Sequence, residues 1–113
     1  MILIIGGSHQ GKYKYAASQY DEKNIWNEFH LFVKEKLEQG KTPEEIESEV
    51  NERIGLNSQL VIISNELGCG IVPFTKEDRD YRELTGRLLC KIAEKSDAVF
   101  RMTCGIAQRI KWR

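Results

Sequence analysis

Net charge is missing from this sequence: seventeen Lys and Arg balance seventeen Asp and Glu. A neutral chain has no general attraction for nucleic acid, so a nucleic-acid partner is not expected. Long apolar runs are missing too. Nothing approaches the ~20 consecutive apolar residues of a membrane span, so none is expected. The opening run Met1–Ile5 is too short for a signal peptide and has no basic lead. With only two prolines and little low-complexity sequence, a disordered chain is not expected either. Cysteine and histidine are scarce. Cys69, Cys90 and Cys104 show no CxxC spacing, and His9 and His30 complete no zinc pattern, so no metal site is expected from them. The thiols read as reduced, small core residues of a cytoplasmic protein.

What remains is ordinary globular composition, with 41% hydrophobic and 30% charged residues. A chain of 113 residues is expected to form a single domain over 1–113 with one core. Its neutral total hides an asymmetry. Residues 1–20 hold Lys12 and Lys14 and no acid, while residues 98–113 hold Arg101, Arg109, Lys111 and Arg113 and no acid. The acids concentrate between. If the two ends meet they form an anion site; if not, the second is a solvated basic tail.

Periodicity supplies the elements. Ile2–Ile5 is a buried-strand run stopped by Gly6-Gly7, and Lys12 to about Gln19 reads as a helix. Ile25, Trp26, Phe29, Phe32, Val33 and Leu37 recur at helical spacing, which predicts a helix over 24–39 closed by Gly40. Thr42-Pro43-Glu44-Glu45 is a capping box with proline at the first helical position, predicting a helix from Pro43 to about Ile54. Leu60–Ile63 is a second strand run. Ser64–Phe74 reads as a loop with Gly68, Gly70 and Pro73 as breakers. Thr75 caps a long helix with the stripe Tyr81, Leu84, Leu88, Leu89 and Ile92. Ala98 to about Cys104 is a third strand, Gly105 turns the chain, and 106–113 is a short basic tail. Three strands separated by helices imply right-handed crossovers and a small parallel sheet.

Two segments could carry chemistry. Gly6-Gly7-Ser8-His9-Gln10-Gly11-Lys12 fits GxxxxGK between a strand and a helix, the context a phosphate loop requires. Glycines let successive N–H groups face a phosphate, the helix N-terminus adds positive potential, and Lys12 reaches the outer oxygens. The next residue of the motif should be Ser or Thr, whose hydroxyl binds Mg²⁺; here it is Tyr13. The other reading is a glycine-rich turn beside a lysine. Ser64-Asn65-Glu66-Leu67-Gly68-Cys69-Gly70-Ile71-Val72-Pro73 leaves the end of a buried strand, where ligand sites of α/β sheets collect. Glu66 could hold a metal-bound water, accept a proton or bind a sugar hydroxyl. Equally, Asn65 and Glu66 could merely cap backbone groups.

These two segments, with Tyr81–Arg87 and the ending Gly105 to Lys111, resemble the adenosylcobinamide kinase/adenosylcobinamide-phosphate guanylyltransferase family. The resemblance covers residues 1–16 and 60–111, and the Asn-Glu-x-Gly-x-Gly-Ile-Val-Pro string is its most specific part. It implies an α/β, P-loop NTPase-like three-layer fold with a small, mainly parallel sheet, reduced relative to the family. It further implies a role in cobalamin biosynthesis and assembly as a homo-oligomer, by resemblance a trimer. The family's bifunctional enzymes phosphorylate the aminopropanol hydroxyl of adenosylcobinamide, then transfer GMP from GTP through a guanylylated histidine. By this likeness Gly6, Gly7, Ser8, His9, Gln10, Gly11, Lys12 and Tyr13 contact the nucleotide, ATP or GTP, and Lys12 and Glu66 carry catalysis. Tyr13 leaves Mg²⁺ open.

The chain departs from the family between the phosphate-loop helix and the later helices, where a strand and the nucleophilic histidine have no counterpart. His30 lies in the amphipathic stretch, outside the family's histidine context, and reads as a helix-surface or packing residue. His9, in the loop, would face the phosphate as a hydrogen-bond donor. Guanylyl transfer is therefore expected to be lost. The competing reading is a non-catalytic nucleotide-, phosphate- or corrinoid-binding module that keeps the scaffold.

Overall fold

The computed structural model describes residues 1–67 and 75–112. Among these residues five strands form one sheet: β1 (Ile2–Gly6), β2 (Ile25–Trp26), β3 (Val61–Asn65), β4 (Ala98–Thr103) and β5 (Ile106–Lys111), in the order β2-β3-β1-β4-β5. Four α-helices accompany them among the described residues: α1 (Lys12–Gln19), α2 (Phe29–Glu38), α3 (Pro43–Leu56) and α4 (Lys76–Lys95). β1 lies at the centre, parallel to β3 and β4.

Both faces of β1 and β3 are covered, which is why those strands read as continuous apolar runs rather than alternating ones. Leu3, Ile62 and Val99 pack with Phe29, Val33, Ile46, Val50, Leu84, Leu88 and Ile92 of α2, α3 and α4. Ile4, Val61, Ile63 and Met102 turn the other way, toward Ala16 of α1. The result is the expected three-layer α/β fold with a small, mainly parallel sheet.

The sheet is wider than the sequence predicts, for two reasons. Ile25-Trp26 does not begin a helix. It forms a short parallel strand in register with Val61 and Ile62, and α2 starts only at Phe29. Pairing with the open edge of β3 satisfies backbone groups that a first helical turn would leave orphaned. Trp26 is buried and meets Phe29 and Phe32 edge-on at 5.2 and 5.1 Å, with the Arg53 guanidinium 3.8 Å over its ring. A strand therefore does follow α1, and this aromatic face is covered within the chain.

The basic tail is also a strand. Cys104 and Gly105, both at positive φ, make a two-residue hairpin turn, and β5 returns antiparallel along β4. Its charges are engaged. Lys111 Nζ donates to the carbonyls of Ala93 and Glu94 at the C-terminal end of α4, and the Arg109 guanidinium lies over Trp112. Arg113 lies outside the described residues.

The remaining elements follow their local signals. Thr42 and Glu45 close the capping box reciprocally at 3.2 and 3.0 Å, Gly40 ends α2 at φ 82°, and Thr75 Oγ1 accepts the Asp78 N–H. The cysteines differ from expectation: Cys90 and Cys104 are exposed rather than core, because one sits on the outer face of α4 and the other in the hairpin turn. Cys69, Gly68, Gly70 and Pro73 lie outside the described residues.

Candidate functional site

The phosphate-loop segment leaves the C-terminal end of β1, the edge where parallel sheets gather ligands. Its first glycine is dictated by contact, since a Cβ on Gly6 would stand 2.7 Å from the Met102 carbonyl oxygen of the neighbouring strand. His9 takes a left-handed conformation at φ 58°, and Gly11, at φ 86°, is the N-cap of α1. Gly11 N-caps the helix without a side chain, so the first amides of α1 open toward the loop.

A cavity of about 430 Å³ sits there, lined along one side by Ser8, His9, Gln10, Gly11, Lys12, Tyr13 and Lys14. Asn27, Glu28 and His30 from the start of α2, with Ile63 and Asn65 of β3, line the other. The N-termini of α1 and α2 therefore border the same space, a setting that favours an anion.

Lys12 is buried at 8% exposure, and its Nζ donates back to the carbonyl of Gly7. Burial lowers its pKa, opposed by the negative charge of Glu66. Tyr13 is exposed. Its hydroxyl donates to Glu22 Oε1 at 2.7 Å, a bond that raises the phenol's pKa. Glu66 continues the backbone ladder through its N–H to the Gly6 carbonyl, and its Oε1 accepts Arg101 Nε at 2.8 Å. Lys12 and Glu66 thus lie within electrostatic reach, yet Glu66 is spoken for by Arg101 and does not line the cavity.

The two basic ends do meet. Gly105 N–H donates to the Gln10 carbonyl at 3.1 Å, and the Cys104 N–H to Gln10 Oε1. Among the described residues, the C-terminal end bonds to the loop through its backbone N–H groups.

His30 is helical and buried, as a packing residue would be, but it also stands in the cavity wall, which the helical reading does not foresee. It lies at the start of α2 with 8% exposure, inside the cavity wall, and its Nδ1 accepts the Asn65 N–H at 3.1 Å. Asn65 Nδ2 in turn donates to Ser8 Oγ at 3.0 Å. Burial lowers the His30 pKa; Glu28 opposes this and Lys12 adds to it. Glu28 itself holds φ 56° at the N-cap of α2, an uncommon conformation for a residue with a Cβ. The signal that would have found this wall is the polar pair Asn27-Glu28 between two apolar stretches, the mark of a strand-to-helix junction. No cluster of three metal-ligating side chains occurs among the described residues.

The sheet order, the loop at the end of its central strand and the layered helices define an α/β protein of the P-loop NTPase-like class. More narrowly, the family model for cobinamide kinase / cobinamide phosphate guanyltransferase matches residues 21–110, and the chain belongs to that family. The match begins after the phosphate loop and runs through the segment between α1 and β3, which motif likeness alone leaves out. Over 54 residues the chain is 35% identical to the bifunctional adenosylcobalamin biosynthesis protein CobU of Salmonella typhimurium and 33% identical to that of Escherichia coli. Each match covers 48% of this chain and 30% of the relative. No helix of the described residues is long and apolar enough to cross a membrane.

Proposed function

We propose that the chain binds ATP or GTP in the cavity above β1 and transfers the terminal phosphoryl group to a hydroxyl of a corrinoid, adenosylcobinamide by family, in cobalamin biosynthesis. The observation that carries this is Lys12, a buried cation at the N-terminus of α1, resting on a carbonyl of its own loop. A buried lysine that donates to a neutral oxygen of its own loop is poised to exchange that partner for a phosphate oxygen. Gly6, Gly7, Ser8, His9, Gln10, Gly11 and Tyr13 complete the loop around the phosphates. Lys12 neutralises charge that develops on the transferring group. Glu66 acts from behind it, through its ion pair with Arg101 and its field at Lys12. For Mg²⁺ the loop offers a phenol already bonded to Glu22 where a hydroxyl is needed, so the carboxylate available inside the cavity is Glu28. With Glu28 the one carboxylate among the described residues that line the cavity, a magnesium ion there would draw its remaining ligands from water and phosphate oxygens.

Guanylyl transfer is absent in this reading, since no histidine stands in the family's nucleophile context. We place the chain in the cytoplasm as a single domain over 1–113 that self-associates. A second reading, a non-catalytic nucleotide-, phosphate- or corrinoid-binding module, draws on the Tyr13–Glu22 bond, which removes the residue after Lys12 from metal chemistry.

Calorimetry with ATP and GTP, with and without Mg²⁺, tests the site. Wild type should bind, and Lys12→Ala should lose about 2–3 kcal/mol of binding energy, the worth of a charge-assisted contact. No binding at millimolar nucleotide sinks the proposal. Binding without phosphorylation of adenosylcobinamide selects the second reading.

A further inference from the structure

We propose that His30 is a direct ligand of the phosphoryl group in this cavity, donating a hydrogen bond from Nε2 as a neutral imidazole whose tautomer is set by the backbone of Asn65. This deepens the nucleotide reading of the same cavity and rests on it.

The tautomer follows from one contact. A backbone N–H can only donate, and that of Asn65 meets His30 Nδ1 at 3.1 Å. Nδ1 therefore presents its lone pair, and the proton of the neutral ring is on Nε2. The ring is 8% exposed and borders the cavity with Lys12 and Ser8. Asn65 also reaches Ser8 Oγ through Nδ2, so ring, strand end and phosphate loop form one connected line. Neighbouring charges fit the neutral form. Lys12 on α1 disfavours a second cation, Glu28 at the N-cap of α2 favours one, and burial sides with Lys12. Lys14, His9 and Tyr13 border the same cavity. A neutral donor adds direction to anion binding without burying another charge.

The same contact argues against a covalent role. For Nε2 to attack phosphorus it must present a lone pair, which moves the proton to Nδ1. There it would face the Asn65 N–H, two donors opposed. The ring is built to hold a phosphate, not to accept one.

The test uses the full chain with ¹⁵N-labelled histidine. At pH 7 the His30 signals should show an unprotonated Nδ1 and a protonated Nε2. ATP should shift the Nε2 resonance, inorganic phosphate should shift it in the same direction, and adenosine should not. Two variants separate donor from spacer. His30→Gln keeps a donor near the Nε2 position, and affinity should stay within about threefold of wild type. His30→Asn keeps an acceptor for the Asn65 N–H but loses the donor, and affinity should fall roughly tenfold or more. A protonated Nδ1, an Nε2 signal unmoved at saturating ATP, or an Asn variant that binds as wild type while the Gln variant fails would each overturn the assignment. If neither ATP nor GTP binds wild type, the nucleotide reading falls and this inference with it. Binding with Nε2 unmoved removes this inference alone. Should a variant not fold, the spectra of wild type still decide.

Discussion

Gln10 Oε1 accepts the backbone N–H of Cys104, ninety-four positions further along the chain. One residue of the phosphate loop thereby holds the turn between β4 and β5, and its own carbonyl holds Gly105 beside it. The loop is not free-standing: its shape depends on the last hairpin of the sheet.

Gln10→Ala should therefore weaken nucleotide binding while leaving the fold intact. Two hydrogen bonds of the side chain are lost, to the Cys104 N–H and to the Ser8 carbonyl, each worth about 0.5–1.5 kcal/mol. Calorimetry gives the affinity and a melting curve gives the stability. Unchanged affinity would show that the hairpin does not shape the loop.

Gly6→Ala should cost about 1–3 kcal/mol of stability, the usual penalty of forcing atoms into a packed site. The added Cβ would meet the Met102 carbonyl at 2.7 Å, and a central strand cannot move away from its neighbour. Gly86→Ala on α4, where a Cβ meets nothing within 4 Å, is the control and should be neutral or stabilising. Urea midpoints compare the two.

Thr42→Ala should destabilise by about 1 kcal/mol, because it opens the capping box of α3. Thr42→Ser keeps the accepting oxygen and should recover most of the loss. Equal midpoints for the Ala and Ser variants would mean that the cap contributes nothing.

Stability should fall as the pH drops below about 6.5, the ordinary histidine value. Burial and Lys12 hold the His30 pKa down in the folded state, against Glu28. Below 6.5 the unfolded chain takes up a proton that the native ring still refuses, so acid favours unfolding. The effect is complete above 6.5 and is lost as pH falls through the folded value. The lowered pKa values of Glu45 and Glu47 act only below the ordinary carboxylate range. His30→Gln should flatten the profile between pH 5.5 and 7.5, read as urea midpoints. A wild-type profile that is flat there would contradict the buried neutral ring.

Self-association should appear in sedimentation equilibrium as a mass above 13.1 kDa. β5 ends the sheet, and Ile106 and Trp112 are each 71% exposed along its outward face, with Ile110 between them. An edge strand with such a face invites a partner. Ile110→Lys should shift the mass toward the monomer. A constant 13.1 kDa for wild type would mean that the edge stays open.

The sequence by itself determined everything written in local chemistry. α3 and α4 are legible because their caps and stripes lie within a few residues of each other, as in Thr42–Glu45 and Thr75–Asp78, and α1 because helix-favouring residues follow the glycine loop. β1 and β3 are legible because both their faces are buried, which leaves a continuous apolar run. The loop Gly6–Lys12 is legible because strand, glycines and lysine are contiguous. Tertiary structure decided the rest. Ile25-Trp26 fits a helical stripe as well as a strand, and only the open edge of β3 selects the strand. Ile106–Lys111 looks like a basic tail until β4 stands beside it. The far wall of the cavity leaves one local mark in the sequence, the polar pair Asn27-Glu28, and its long-range contacts leave none. His30 and Asn65 are thirty-five positions apart, and nothing in the spacing of either records that a backbone N–H of one would find the ring of the other. Periodicity reports which side of an element faces the core. It carries no information on which distant polar atoms share a cavity, because that depends on how the layers close.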